Sequence, residues 1–196
     1  MTCAMNKPEQ PPEGGKRERT RRRLIEAAAA VIAEKGFDRA SLEEIAALAG
    51  MTRGAVYGNF KNKEELFLAL IETRWQPIVP SLKAGAGFKQ QMRILGKTVA
   101  GAAKERRKYA AVATAFQLYT LTHAPMQAKV AEKNAAAYRW FEKELVKVIP
   151  AKSLPMPAKQ FVRVLDALTT GLLFTYFQTP ELMTEDVFVA AFEALA

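Results

Sequence analysis

The stretch from Ser41 to Phe60, SLEEIAALAGMTRGAVYGNF, constrains this chain more than any other. Ser41 followed three residues later by Glu44 is a capping box. The hydroxyl takes a free N–H of the first helical turn and the carboxylate returns to the cap's own N–H. Behind it Leu42, Ile45, Ala46 and Ala49 recur at helical spacing. Gly50 interrupts where a short helix ends. Thr52 then caps a second helix that carries Ala55, Val56 and Phe60 on its inner side. Two short helices joined by a tight turn with a glycine make a helix-turn-helix, whose second helix enters the major groove of DNA. The outward set on that helix is Arg53, Gly54, Tyr57 and Asn59. The donors suit phosphate oxygens and base edges, and the glycine leaves room for close backbone approach. The same letters also fit an ordinary αα-corner with a solvated arginine and a packed tyrosine, so spacing alone keeps both readings open.

The flanks extend the pattern. Lys16 to Arg23 reads KRERTRRR, a basic arm or first turn able to reach phosphates or a minor groove, with Arg21 among the expected contacts. Leu24, Ala27, Ala28, Val31 and Ile32 mark one stripe of a first helix, which Gly36 ends and onto which Phe37 folds back. Asn62-Lys63-Glu64-Glu65 is a second capping box variant. Lys63 sits in the first turn of its helix, where a basic side chain and free amides can hold a phosphate. Leu66, Phe67, Leu70 and Ile71 continue the stripe until Trp75 and Pro77 close it.

From Thr20 to Trp75 the chain resembles the DNA-binding domain of the TetR (tetracycline repressor) family of transcription regulators. The residues that carry this are Ile25-Glu26-Ala27-Ala28, Lys35-Gly36-Phe37, Ser41-x-x-Glu44-Ile45-Ala46, Ala49-Gly50-Met51-Thr52-Arg53-Gly54, and Val56 through Phe67. Two positions depart from the family pattern. Asn59 stands where His or Tyr is common, and Gly58 is a poor helix former. The residues expected to face DNA are Arg21, Ser41, Thr52, Arg53, Gly54, Tyr57, Asn59 and Lys63.

Composition sets wider bounds. A chain of 196 residues with 49% hydrophobic content can bury one large core or two small ones. No apolar run approaches a membrane span, and the N-terminus lacks the apolar core of a signal peptide, so a membrane association is not expected. The single cysteine, Cys3, excludes an internal disulfide and fits a reducing cytoplasm. The single histidine, His123, argues against a His-based metal site or catalytic triad and reads as a cap or loop residue before Pro125. No metal or other cofactor is expected, and scattered carboxylates offer no pair for acid–base work. The net charge of +9 invites a nucleic-acid partner. Its distribution weakens that argument, because residues 1–76 hold 13 Lys and Arg against 11 Asp and Glu while the remainder holds 16 against 9.

Everything after Ile78 reads helical. Pro77, Pro80, Gly85 and Gly87 form a connector. Helical stripes follow through Met92, Leu95, Val99 and Ala103, through Tyr109 to Thr122 after a basic corner at 104–108, and from Pro125 through Tyr138, Phe141, Leu145 and Val148. A loop from Pro150 to Pro157 leads to a helix apolar on two sides and then to a last one holding Val187, Phe188, Ala191, Phe192 and Leu195. The fold expected is all-α with about nine helices. Residues 1–15 form a flexible tail with Pro8, Pro11 and Pro12, 16–61 the three-helix helix-turn-helix DNA-binding domain, 62–76 a connecting helix, and 77–196 a helical ligand-binding and dimerisation domain.

A helix apolar on more than one side must bury more than one side, and two copies pairing their last two helices as a four-helix interface would do so. The resemblance implies the same homodimer, with Phe161, Leu165, Leu168, Leu172, Tyr176, Phe188 and Phe192 as interface residues. It also implies a cavity among the middle helices for a small-molecule effector. Trp75, Met92, Phe116, Tyr119, Met126, Tyr138, Phe141 and Phe174 are its candidate lining, suited to a largely apolar ligand. The function that follows is a ligand-released repressor of a palindromic double-stranded DNA operator, not an enzyme. A helical protein–protein adaptor, or a small helical enzyme keeping the helix-turn-helix as scaffold, is the alternative.

Overall fold

A computed structural model of the chain describes residues 15–83 and 85–196. The expected tail, with Cys3 and its prolines, lies outside the described residues but for Gly15. Nine α-helices run through the described residues in order: α1 (Lys16–Lys35), α2 (Leu42–Leu48), α3 (Arg53–Tyr57), α4 (Lys63–Arg74), α5 (Phe88–Arg106), α6 (Ala110–Thr122), α7 (Ala124–Val148), α8 (Ala158–Gln178) and α9 (Glu185–Glu193). There is no strand among the described residues, and no helix among them is long and apolar enough to cross a membrane.

The helices sort into two compact units. One combines the described residues up to Pro77 with Lys108–Met126; the other combines Ile78–Arg107 with Gln127–Ala196. The sequence places residues 108–126 in the C-terminal domain. In the structure they join the N-terminal one, because α6 lays Tyr119 on Phe37 and hydrogen-bonds it to Glu64 at 2.6 Å.

In the N-terminal unit α1 is the floor. Its stripe Leu24, Ile25, Ala28, Val31 and Ile32 is closed from solvent, as are Ile45 of α2, Val56 of α3 and Leu66, Phe67 and Leu70 of α4. Each large side chain shut away in this manner contributes about 1.5–3 kcal/mol. An aromatic column runs through it. Phe37 stacks on Phe67 at 4.4 Å, Tyr119 tilts against Phe37 at 4.2 Å, and His123 stacks on Tyr119 at 3.8 Å.

The second unit is built on α5, α8 and α9, with the C-terminal part of α7. Met92, Leu95, Val99, Ala103, Leu145, Phe161, Leu173, Phe188 and Phe192 form its core. α5 and α9 cross at Gly96, where a Cβ would stand 2.8 Å from the Val189 Cα and 3.0 Å from the Phe188 carbonyl oxygen. Only a residue without a side chain allows that approach. Gln91, fully buried, donates to the Lys83 carbonyl and accepts from the Lys83 N–H at 3.1 Å, which pins the connector to α5.

Candidate nucleic-acid interface

The helix-turn-helix is set by its caps. Ser41 Oγ accepts from the Glu44 N–H at 3.1 Å while the Ser41 N–H donates to Glu44 Oε2 at 3.2 Å, completing the capping box. Lys35 reaches the other Glu44 oxygen at 2.6 Å and ties the end of α1 to the start of α2. That bond, with the Ser41 N–H, holds the Glu44 carboxyl below the usual carboxylate range. The turn needs Gly50, whose φ of 63° is costly for any residue with a Cβ. Thr52 Oγ1 then accepts from the Ala55 N–H at 3.3 Å to open α3.

Val56 is fully buried, and this single anchor fixes which face of α3 looks outward. Thr52, Arg53, Gly54 and Tyr57 are exposed on that face. Arg53 pairs with Glu43 of α2 at 3.0 Å, and its guanidinium lies 5.4 Å from the centre of the Tyr57 ring. A Cβ built on Gly54 meets nothing but Thr52 Oγ1 at 3.7 Å. The fold itself does not require a glycine there.

Three expected contacts are engaged elsewhere. Lys63 turns inward: its ammonium donates to the carbonyls of Phe37, Asp38 and Ala40 at 2.9, 3.1 and 3.1 Å and sits 4.5 Å from the Phe37 ring centre. An ammonium has three protons, and all three are used, so Lys63 is corrected from phosphate ligand to clamp of the loop between α1 and α2. Asn59 donates its side-chain amide to the Ala55 carbonyl at 2.8 Å, since α3 ends at Tyr57 and the chain curls back. Arg21 donates to the Asn59 carbonyl at 2.8 Å with its guanidinium 4.2 Å from the Phe60 ring centre, and so closes the end of α3. Ser41, half-buried, serves its cap.

Two participants escape sequence reasoning. Arg23 donates to the Ala49 carbonyl at 2.7 Å and so caps the end of α2. Its signal is positional: Arg21 stands one turn before Leu24, and Arg23 one turn before Ala27, both on the buried stripe. The other is Glu43, which nothing in the spacing distinguishes from a solvated carboxylate.

The expected effector lining falls in both units. Phe116, Tyr119, Met126 and half-buried Trp75 belong to the N-terminal one, and Met92, Tyr138, Phe141 and Phe174 to the other. Met92 and Met126 are closed core residues. Tyr119 and Tyr138 are bonded to Glu64 at 2.6 Å and Asp166 at 2.7 Å, and burial, with those carboxylates, pushes each phenol up to about 12. In the N-terminal unit an open cleft of 430 Å³ is lined by Phe37, Asp38, Asn62, Lys63, Glu64, Tyr119 and His123. The interface expectation also needs correction. Phe161, Leu172, Phe188 and Phe192 are buried within the protomer's own core, leaving Leu165, Leu168 and Tyr176 half-buried at its edge.

Residues 24–70 match the family model described as bacterial regulatory proteins, tetR family. Over 61 residues the chain is 44% identical to the HTH-type transcriptional regulator SrpR of Pseudomonas putida, covering 31% of this chain and 29% of that protein. Over 54 residues it is 48% identical to the HTH-type transcriptional regulator TtgR, also of Pseudomonas putida, covering 28% and 26%. The matched segment thus spans under a third of these relatives' length. Solved structures match along nearly the whole chain. Salmonella enterica GusR superposes with a TM-score of 0.75 at 18% identity over 93% of this chain and 96% of that one. NalD, the secondary repressor of the MexAB-OprM multidrug efflux pump in Pseudomonas aeruginosa, gives 0.63 at 24% over 91% and 93%. At these identities the likeness is one of fold.

Proposed function

We propose that this chain, which belongs to the TetR family of bacterial regulatory proteins, is a transcriptional repressor that reads DNA with α3 and is released by a small, largely apolar ligand. The observation that carries the reading is the outward face of α3. Buried Val56 turns Thr52, Arg53, Gly54 and Tyr57 to solvent together, and the one small residue among them has no structural need to be small. Arginine supplies a fork for base edges or phosphates, tyrosine and threonine supply hydroxyls for phosphate oxygens, and a glycine lets the backbone come close.

The operating form is a homodimer joined through α8 and α9, reading two half-sites of a near-palindrome about one helical turn apart or a simple multiple. Half-buried Leu168, Tyr176 and Phe174 with exposed Val187 and Leu182 support that surface. The effector acts by binding better to a form whose α4 no longer holds the reading helices at operator spacing. The usual coupling of about 1–3 kcal/mol changes occupancy roughly 5- to 150-fold. The test is selection of binding sites from a random duplex library, followed by sedimentation of the complex. Enrichment of a symmetric sequence bound by two chains is expected. Recovery of no preferred duplex removes the reading.

A further inference from the structure

Glu43 has no part in the cap, the core or the DNA contacts assigned above. It stands in the first turn of α2, exposed, and its Oε1 takes the Nε edge of Arg53 at 3.0 Å. On the same guanidinium, Nη2 donates to the Tyr57 hydroxyl at 3.4 Å, and the guanidinium carbon lies 5.4 Å from the centre of the tyrosine ring. The arginine is therefore gripped from two helices while 64% of its side chain stays in solvent.

Such a grip does little for the fold, because an exposed ion pair is screened and must order two long side chains. It also works against bare affinity, since a carboxylate beside phosphates repels them. What it changes is where the guanidinium points. A free arginine swings to the nearest phosphate. One held through its Nε–H by Glu43 and through one Nη2 proton by Tyr57 still has three N–H donors, two on Nη1 and the second on Nη2, for the O6 and N7 acceptors of guanine. Arg21 and Arg23 contrast with it, for backbone carbonyls hold their guanidiniums.

Resting on the reading that α3 enters the major groove, we infer that Glu43 is a positioning residue that makes Arg53 a reader of base sequence instead of a phosphate ligand. The experiment compares the wild-type chain, Glu43→Gln, Arg53→Ala and the double variant on the duplex that wild type selects and on a scrambled duplex, across a salt series. Glu43→Gln is expected to bind the scrambled duplex more tightly. Its preference for the selected duplex falls about tenfold, a share of what one bidentate arginine contact discriminates. Its salt slope steepens by about 0.9, the signature of one added phosphate contact. In the Arg53→Ala background the Glu43 change leaves the preference unaltered. Tyr57→Phe, which keeps the ring and loses the hydroxyl, shows a smaller loss of the same kind. Equal shifts on both duplexes with no change of slope overturn the inference, leaving simple repulsion. So does an undiminished effect of Glu43→Gln without Arg53, which makes Glu43 a base reader itself. A wild-type chain that selects no duplex sinks the DNA-reading conclusion beneath it, an outcome distinct from either.

Discussion

Replacing Gly54 by alanine separates what the fold needs from what DNA needs. A Cβ at that position meets one atom, Thr52 Oγ1 at the ordinary contact distance of 3.7 Å, and its φ is not in the left-handed region. Nothing has to move. Alanine is favoured over glycine inside a helix by roughly 0.5–1 kcal/mol, and the first turn of the five-residue α3 realises about half of that. For a unit of this size 0.5 kcal/mol raises the melting temperature by about 2–4 °C. The two tryptophans make the assay specific, because Trp75 lies in the N-terminal unit and Trp140 in the other. In a Trp140→Phe background, fluorescence melting reports the N-terminal unit alone. The same methyl stands on the face proposed to meet DNA. Keeping the helix backbone from its close approach costs on the order of one good base contact, about 1–3 kcal/mol, so affinity for the selected duplex falls roughly 5- to 150-fold. Higher stability with lower affinity is the expected pair. Higher stability with unchanged affinity refutes close approach of α3 to DNA, and lower stability refutes the open space around Gly54.

Gly96→Ala and Gly101→Ala, one helix and five positions apart, are expected to have opposite signs. The first drives a methyl into the α9 backbone and costs about 1–3 kcal/mol. The second meets nothing within contact distance and gains about 0.5–1 kcal/mol, both measured by urea unfolding. Lys63→Met removes three hydrogen bonds to loop carbonyls, one of them already solvent-exposed, so about 2–3 kcal/mol of stability is lost from the N-terminal unit. An unchanged melting temperature with a shallower salt slope in DNA binding restores Lys63 as a phosphate ligand. Tyr119→Phe tests the raised phenol. The folded chain keeps that proton up to about pH 12 whereas the unfolded chain releases it near 10, so the associated stability is complete below pH 10 and lost as pH climbs towards 12. Urea midpoints for wild type are expected to fall more steeply across that window than those for Tyr119→Phe.

Much of this was legible in the letters for a physical reason. Ser41 with Glu44, Gly50, and Thr52 act within a few residues of themselves, so caps and turn follow from local spacing, and the helix periods follow from the apolar stripes. What local spacing cannot give is the far partner of a long side chain. Lys63 at the start of α4 has two directions open to it, and the choice is made by carbonyls 23 to 26 residues earlier. The same holds for residues 108–126, which α6 carries to the N-terminal unit through Tyr119 and its contact with Glu64, 55 residues away. For α8 and α9 the pattern states that two sides are buried. It does not state in which chain, and Phe161, Phe188 and Phe192 turn out to be enclosed by their own. Gly96 looks like any interior glycine until α9 is laid across it.

These corrections change where the charge of the helix-turn-helix acts. Arg21, Arg23 and Lys63 look like a basic surface in sequence, yet each ends on backbone carbonyls: at the end of α3, at the end of α2, and in the loop before α2. A helix C-terminus exposes carbonyls without partners, and in helices as short as α2 and α3 these are a large share of the backbone. Arg23 satisfies such a carbonyl at the α2 C-cap, and Arg21 and Lys63 tie down the backbone just after α3 and just before α2, so that the positive side chains brace both helices. The face proposed to read DNA is then small, made of Thr52, Arg53, Gly54 and Tyr57, and the one arginine on it is paired with a carboxylate. Discrimination by such a face depends on how rigidly it is presented more than on the number of cations near it. Loosening Arg21 from the Asn59 carbonyl should therefore blur sequence preference even though that guanidinium is held on the backbone and not on the outward face of α3.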